Sequence, residues 1–225
     1  MTDLYCFPHS GGFSYQFRAL GQVIAPLSPR PVDYPKVGAR DGSPEGVGDF
    51  VRRWLASCDG VDFGGACLYG QSLGGLMAFE AAVQLEQRGT PAAGVVIAAA
   101  LPFSHSAMPR LDYELCSQEE LLDWSFGTVQ GREPSGAERE VFRWLSPRLR
   151  RDLRMYAGYT PDGRLDLTPA LVLQATGDRV CPPPTQHYWA ERISRLDWRE
   201  IDAGHLFHMD APAVTAAAVR DWRST

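Results

Sequence analysis

The chain has 225 residues, 44% of them hydrophobic, enough for one α/β domain with a sizeable buried core. Acidic residues outnumber lysines and arginines 27 to 22, a net charge of −5, which argues against the basic face of a general nucleic-acid binder. Five cysteines, Cys6, Cys58, Cys67, Cys116 and Cys181, form no C-x-x-C pair, so neither a disulfide framework nor a zinc site is expected.

Leu4 to Phe7 reads as a short apolar strand entering a Pro-His-Ser-Gly-Gly turn. A helix is expected over Phe13 to Ile24 and a strand over Arg30 to Tyr34, closed by Pro35. Val47, Phe50, Val51, Trp54 and Leu55 have the spacing of an amphipathic helix over Val47 to Cys58. Ala66 to Tyr69 is a strand, Leu73 to Arg88 a helix ended by Gly89, and Gly94 to Ala100 a near-continuous apolar strand. Leu171 to Ala175 and Trp198 to Ile201 complete the strands, and Asp210 to Trp222 is the closing helix. Strands that are apolar on both faces and alternate with helices imply a mostly parallel sheet covered on both sides.

Residues 109–159 interrupt this alternation with no convincing strand. Glu119 to Phe126 and Ala137 to Trp144 read as helices, and Ser146-Pro147 reads as an N-cap with proline at the first position of a third. This stretch is too long for a plain connection and is read as a helical lid inserted into one domain spanning residues 1–225. The N-terminus lacks a basic stretch ahead of an apolar run, and the longest apolar run, Gly94 to Leu101, is too short to cross a bilayer. A cytoplasmic protein with no membrane span is expected.

Gly70-Gln71-Ser72-Leu73-Gly74 matches G-x-S-x-G. The pattern alone is weak, but here a strand precedes it and a helix follows it. Glycines then permit a tight turn that exposes the Ser72 hydroxyl at the carboxyl end of the strand. A serine hydroxyl needs a base, and the base needs an acid to orient it, in the chain order serine, acid, histidine. His205 follows the last strand in Gly204-His205-Leu206-Phe207 and is the best base. His208 lies deeper in the closing segment, His187 falls in an expected helix, and His9 and His105 fail on order or on the acid. Asp178 follows a strand in Thr176-Gly177-Asp178, while Asp202 is too near His205 in sequence. The catalytic candidates are therefore Ser72, Asp178 and His205, with the backbone N–H groups of Leu73 and Ser10 as oxyanion donors.

Leu4 to Gly12, Gly70 to Gly75, Gly177-Asp178 and Gly204 to Phe207 together resemble the type II thioesterases of polyketide and nonribosomal peptide assembly lines, which are free-standing α/β-hydrolases. Pro147 to Asp152, followed by Tyr156 and Tyr159, resembles a motif of that family's lid. The resemblance covers nearly the whole chain. It implies hydrolysis of acyl groups from the phosphopantetheine arm of an acyl or peptidyl carrier protein. No metal or other cofactor is expected, and the sequence leaves the oligomeric state open, a monomer being the simplest case. A dedicated product-releasing or cyclising thioesterase and a general carboxylesterase are the alternatives. Gln71 stands where histidine is common, Ser10 replaces a usual alanine, and Tyr34 to Arg40 follows its counterpart only loosely. Arg143, Arg148, Arg150, Arg151 and Arg154 are read as a solvated helix face, with docking of an acidic carrier protein as the alternative.

Overall fold

The central strands are apolar on both faces because both faces are covered. In the computed structural model, which describes residues 2–34, 44–58, 60–106 and 112–224, six strands form one parallel sheet. They are β1 (Thr2–Phe7), β2 (Leu27–Pro31), β3 (Cys67–Gln71), β4 (Gly94–Ala98), β5 (Ala170–Ala175) and β6 (Leu196–Ile201), in the order β2-β1-β3-β4-β5-β6. Successive side chains alternate between faces. Leu4, Cys6, Tyr69, Val96 and Leu173 meet Leu20 of α1 (Arg18–Val23) and Val219 and Trp222 of α8 (Pro212–Arg223). Phe7, Leu68, Ile97 and Val172 point the other way, into a core shared with α2 (Val47–Ser57) and α3 (Leu73–Gln87).

The sequence places the second strand three residues late. Pro29 and Pro31 hide it, since proline cannot donate to a ladder. β2 is an edge strand, and Val32 N–H donates to the Cys6 carbonyl at 2.8 Å. Pro29 and Pro31 have the opposite parity, so their missing donors face the open edge. The expected closure at Pro35 and the Tyr34 to Arg40 comparison lie largely outside the described residues, as does the expected start of the insertion at 109.

Between β4 and β5 the described residues form helices and loops. α4 (Gln118–Asp123) starts at a capping box of Ser117 and Glu120 and continues into a π-helical segment, Trp124–Gln130, ended by Gly131 at φ 69°. α5 (Gly136–Ala157) is one helix where two were expected. Its cap is Ser135, whose Oγ accepts from Glu138 N–H at 3.3 Å while the Glu138 carboxylate accepts from Ser135 N–H at 2.8 Å. Pro147 lies inside it and cannot donate to the Arg143 carbonyl. The Ser146 hydroxyl donates to that carbonyl instead, at 3.3 Å, and is itself held by Gln118 Nε2 at 3.0 Å. The residue that looked like a cap is thus a repair for an internal proline.

The arginines of α5 also correct the sequence reading, because only part of the cluster is solvated. Arg150 donates to the carbonyls of Tyr113 and Cys116 and ties α5 to the loop before α4. Arg151 is buried against Asp152, with Nη2 at 2.6 Å from Oδ1. Arg143 and Arg154 are exposed. Hydrogen bonds from a charged donor contribute about 1.5–3 kcal/mol each. At about 2–4 °C per kcal/mol for a chain of this size, loss of both bonds in Arg150→Glu should lower the thermal midpoint by at least about 6 °C, read by calorimetry, through loss of the insertion's internal tie.

Candidate active site

Ser72 sits between β3 and α3 at φ 56° and ψ −121°, a left-handed conformation that costs a non-glycine residue roughly 1–3 kcal/mol. The surroundings impose it. Ser72 N–H donates to the Ala98 carbonyl, and Gly75 N–H to the Ser72 carbonyl, both at 2.8 Å. A Cβ on Gly70 would lie 1.9 Å from the Gly74 carbonyl oxygen, and one on Gly74 2.0 Å from that of Phe7. Only hydrogen fits at either position, which is why glycines flank the serine.

The turn aims the Ser72 Oγ at His205 Nε2, 2.9 Å away. His205 Nδ1 lies 2.8 Å from Asp178 Oδ2 and 3.0 Å from Oδ1. All three residues are buried, Ser72 being 8% exposed and the others 4%. Asp178 occupies the turn after β5, where Oδ1 accepts the N–H groups of Val180 and Cys181, each at 2.8 Å. Burial alone would raise its pKa, but His205 and these donors outweigh burial and hold it below the ordinary carboxylate value. The ionised carboxylate can only accept, so it holds the ring proton on Nδ1 by accepting a hydrogen bond from Nδ1–H, and the Nε2 lone pair is left toward Ser72. The three residues chosen from sequence thus form one hydrogen-bonded chain.

Leu73 provides the first N–H of α3, where helix geometry supplies no partner. Ser10 and Ser72 line a common cavity of about 60 Å³, with His9, Leu149, Tyr156 and His205 in its wall. The loop carrying Ser10 is braced from two sides. Tyr34 hydroxyl donates to the Pro8 carbonyl at 2.6 Å, and Gly11 N–H donates to Asp152 Oδ2 at 2.8 Å. Asp152 is fully buried; burial pushes its carboxyl up against the opposing pull of Arg151, Gly11 and Arg148. Asp152 was not chosen from sequence. Its signal was a carboxylate three residues after Leu149, beside the apolar stripe of its helix.

Residues set aside from sequence have other contacts. Asp202 accepts from Thr176 Oγ1 at 3.2 Å, and His105 is exposed, with Ser104 Oγ at 2.9 Å. Tyr156 hydroxyl donates to the Leu101 carbonyl at 2.8 Å, in the segment after β4. Asp178, Cys181 and His205 have potential ligand atoms within 4.8 Å of one another. The facing atoms of Asp178 and His205 are engaged with each other, however, and burial disfavours the Cys181 thiolate that would bind a metal.

His9 and His208 adjoin the site. Their rings are 5.6 Å apart, His208 is fully buried, and neither of its ring nitrogens has a partner among the described residues. Burial, followed by the neighbouring histidines, drives both away from the protonated form, His9 to about 3 and His208 well below its ordinary value. Both are therefore neutral near pH 7, and neither opposes a positive charge forming on His205.

A family model described as the alpha/beta hydrolase family matches residues 6–218. Thioesterase TesA of Mycobacterium marinum is 27% identical over 216 residues, covering 91% of this chain and 84% of that protein. A probable cadicidin biosynthesis thioesterase of Streptomyces griseus is 28% identical over 230 residues, covering 92% of this chain and 59% of that one. The solved structure of BorB, the type II thioesterase from the borrelidin biosynthetic cluster, superimposes with a TM-score of 0.83 at 22% identity, over 99% of this chain and 92% of its own.

The neutral histidines give stability a defined pH dependence. Above their unfolded value of 6.5 neither state is protonated, and they contribute no slope. As pH falls from 6.5 toward 3, the unfolded chain binds protons that the folded one refuses, so each histidine lowers stability by about 1.4 kcal/mol per pH unit. His208→Phe should flatten denaturant-derived stability against pH between 6.5 and 4.5 by nearly one proton's slope. Parallel curves would contradict the burial of a neutral His208.

Proposed function

Since the chain belongs to the alpha/beta hydrolase family, we propose that it is a serine thioesterase releasing short acyl groups from the phosphopantetheine arm of acyl or peptidyl carrier proteins. The observation that carries this reading is the Ser72–His205–Asp178 chain, set at the head of α3. The relatives named as thioesterases, and their coverage of this chain, support it.

In this reading Ser72 Oγ attacks the thioester carbonyl while His205 Nε2 takes its proton. Asp178 holds the tautomer and stabilises the imidazolium. The oxyanion accepts from the N–H groups of Leu73 and Ser10. Collapse breaks the C–S bond, and the imidazolium proton leaves with the pantetheine thiol. Water, deprotonated by His205, then attacks the acyl-serine; the proton returns to Ser72 as the carboxylic acid departs. No step requires a metal or another cofactor.

Removal of stalled acyl groups is the role we propose, in line with the type II thioesterase whose fold this chain shares. Among the described residues no helix is long and apolar enough to cross a membrane, in keeping with action in the cytoplasm on carrier proteins.

The test is intact-mass analysis of a carrier protein loaded with short, long or aromatic acyl groups, incubated with enzyme or with Ser72→Ala. Loss of short acyl groups is expected, slowed by roughly four or more orders of magnitude in Ser72→Ala. Loss of one long chain only would indicate dedicated release, and loss of none would overturn the thioesterase reading.

A further inference from the structure

We infer that Gln71 is a positioning residue for His205, acting on its main chain rather than on its ring; the inference rests on the catalytic reading of Ser72 and His205 above. Gln71 is the last residue of β3 and is completely buried. Its Nε2 donates to the backbone carbonyl of His205 at 2.5 Å, across 134 residues of sequence. Its Oε1 accepts from the Tyr69 hydroxyl at 2.9 Å. The amide's orientation follows from chemistry. A carbonyl can only accept, so the NH2 group faces His205 and the oxygen is left for Tyr69.

The consequence is mechanical. His205 lies in the connection between β6 and α7 (Phe207–Asp210), outside both elements. Asp178 fixes the ring from one side, but its pull on Nδ1 does not fix the distance from the main chain to Ser72. The Gln71 clamp supplies that constraint, and it comes from the residue directly before Ser72. Nucleophile and base are thereby referenced to the same end of β3, so drift of the connecting loop cannot separate them. The Tyr69 hydroxyl holds the clamp from behind, and its ring packs edge-on against Phe17 at 5.9 Å.

A side chain that merely filled space would be replaceable by one of equal volume. Gln71→Met keeps the volume and removes the donor. Gln71→His restores an N–H that can reach a backbone carbonyl. Both variants should be compared with the parent chain in kcat and KM on a small acyl thioester, and in the rate of Ser72 labelling by a fluorophosphonate. Misplacement of a reacting group by about 1 Å can cost about 100-fold. Gln71→Met should accordingly lose about 10–100-fold in kcat and in labelling rate with KM unchanged, and Gln71→His should keep most of both.

Gln71→Met within threefold of the parent in both rates would overturn the inference, as would a Gln71→His as slow as Gln71→Met. If the parent labels rapidly and Gln71→Met slowly while neither cleaves the thioester, the clamp stands and the thioesterase reading fails. A parent that neither labels nor turns over would overturn both.

Discussion

The strained backbone of Ser72 is the constraint on which the rest depends. A serine at φ 56° relaxes unless its neighbours forbid it, and here they do so by contact and by hydrogen bond. Gly70 and Gly74 approach so closely that a single methyl group at either would collide with main chain. β3 and the start of α3, from Leu73 to Phe79, are buried throughout, so the turn between them cannot yield. The same geometry fixes the Ser72 hydroxyl and starts α3 with a free N–H at Leu73. It also sets Gln71 against the His205 main chain. One packed turn thus determines three parts of the site.

A second constraint joins the insertion to the site. α5 crosses the loop after β1 and places the buried Asp152 on Gly11 N–H, next to the residue proposed to donate to the oxyanion. Leu149 packs there too: a Cβ on Gly11, which has φ 74°, would come within 3.3 Å of its side chain. The later half of α5 therefore lines the cavity through Leu149 and Leu153 and braces the loop beside it through Asp152. Trp124, Val129 and Gln130 of the π-helical segment also line the cavity. Neutral His9 in the cavity wall, with neutral His208 5.6 Å from its ring, leaves no fixed positive charge from either histidine beside His205.

Much of this was legible in the sequence, and the exceptions have physical reasons. The sheet followed from apolar runs such as Gly94 to Ala98, which need no partner pattern to be read. Ser72, Asp178 and His205 were legible because each follows a strand at its carboxyl end, where side chains of distant segments converge. β2 was displaced because edge strands tolerate prolines that central strands refuse. Ser146 was misread because a serine before proline looks like a helix start, and only the fold shows its hydroxyl replacing a lost N–H. Asp152, Gln71 and Arg150 were given no role because their partners, Gly11, the His205 carbonyl and the carbonyls of Tyr113 and Cys116, lie far away in sequence; the carboxylate beside the apolar stripe of α5 does not name what it meets.

The measurement that bears most directly on this account is the site and rate of covalent capture by a fluorophosphonate, followed by peptide mapping across a pH series. A single adduct on Ser72 is expected, absent from Ser72→Ala. In His205→Ala it should form at least about 100-fold more slowly at neutral pH, with the gap narrowing as hydroxide replaces the missing base. An adduct on another residue, or capture of Ser72 at an undiminished rate without His205, would contradict the claim that this packed turn and its buried histidine form one catalytic unit.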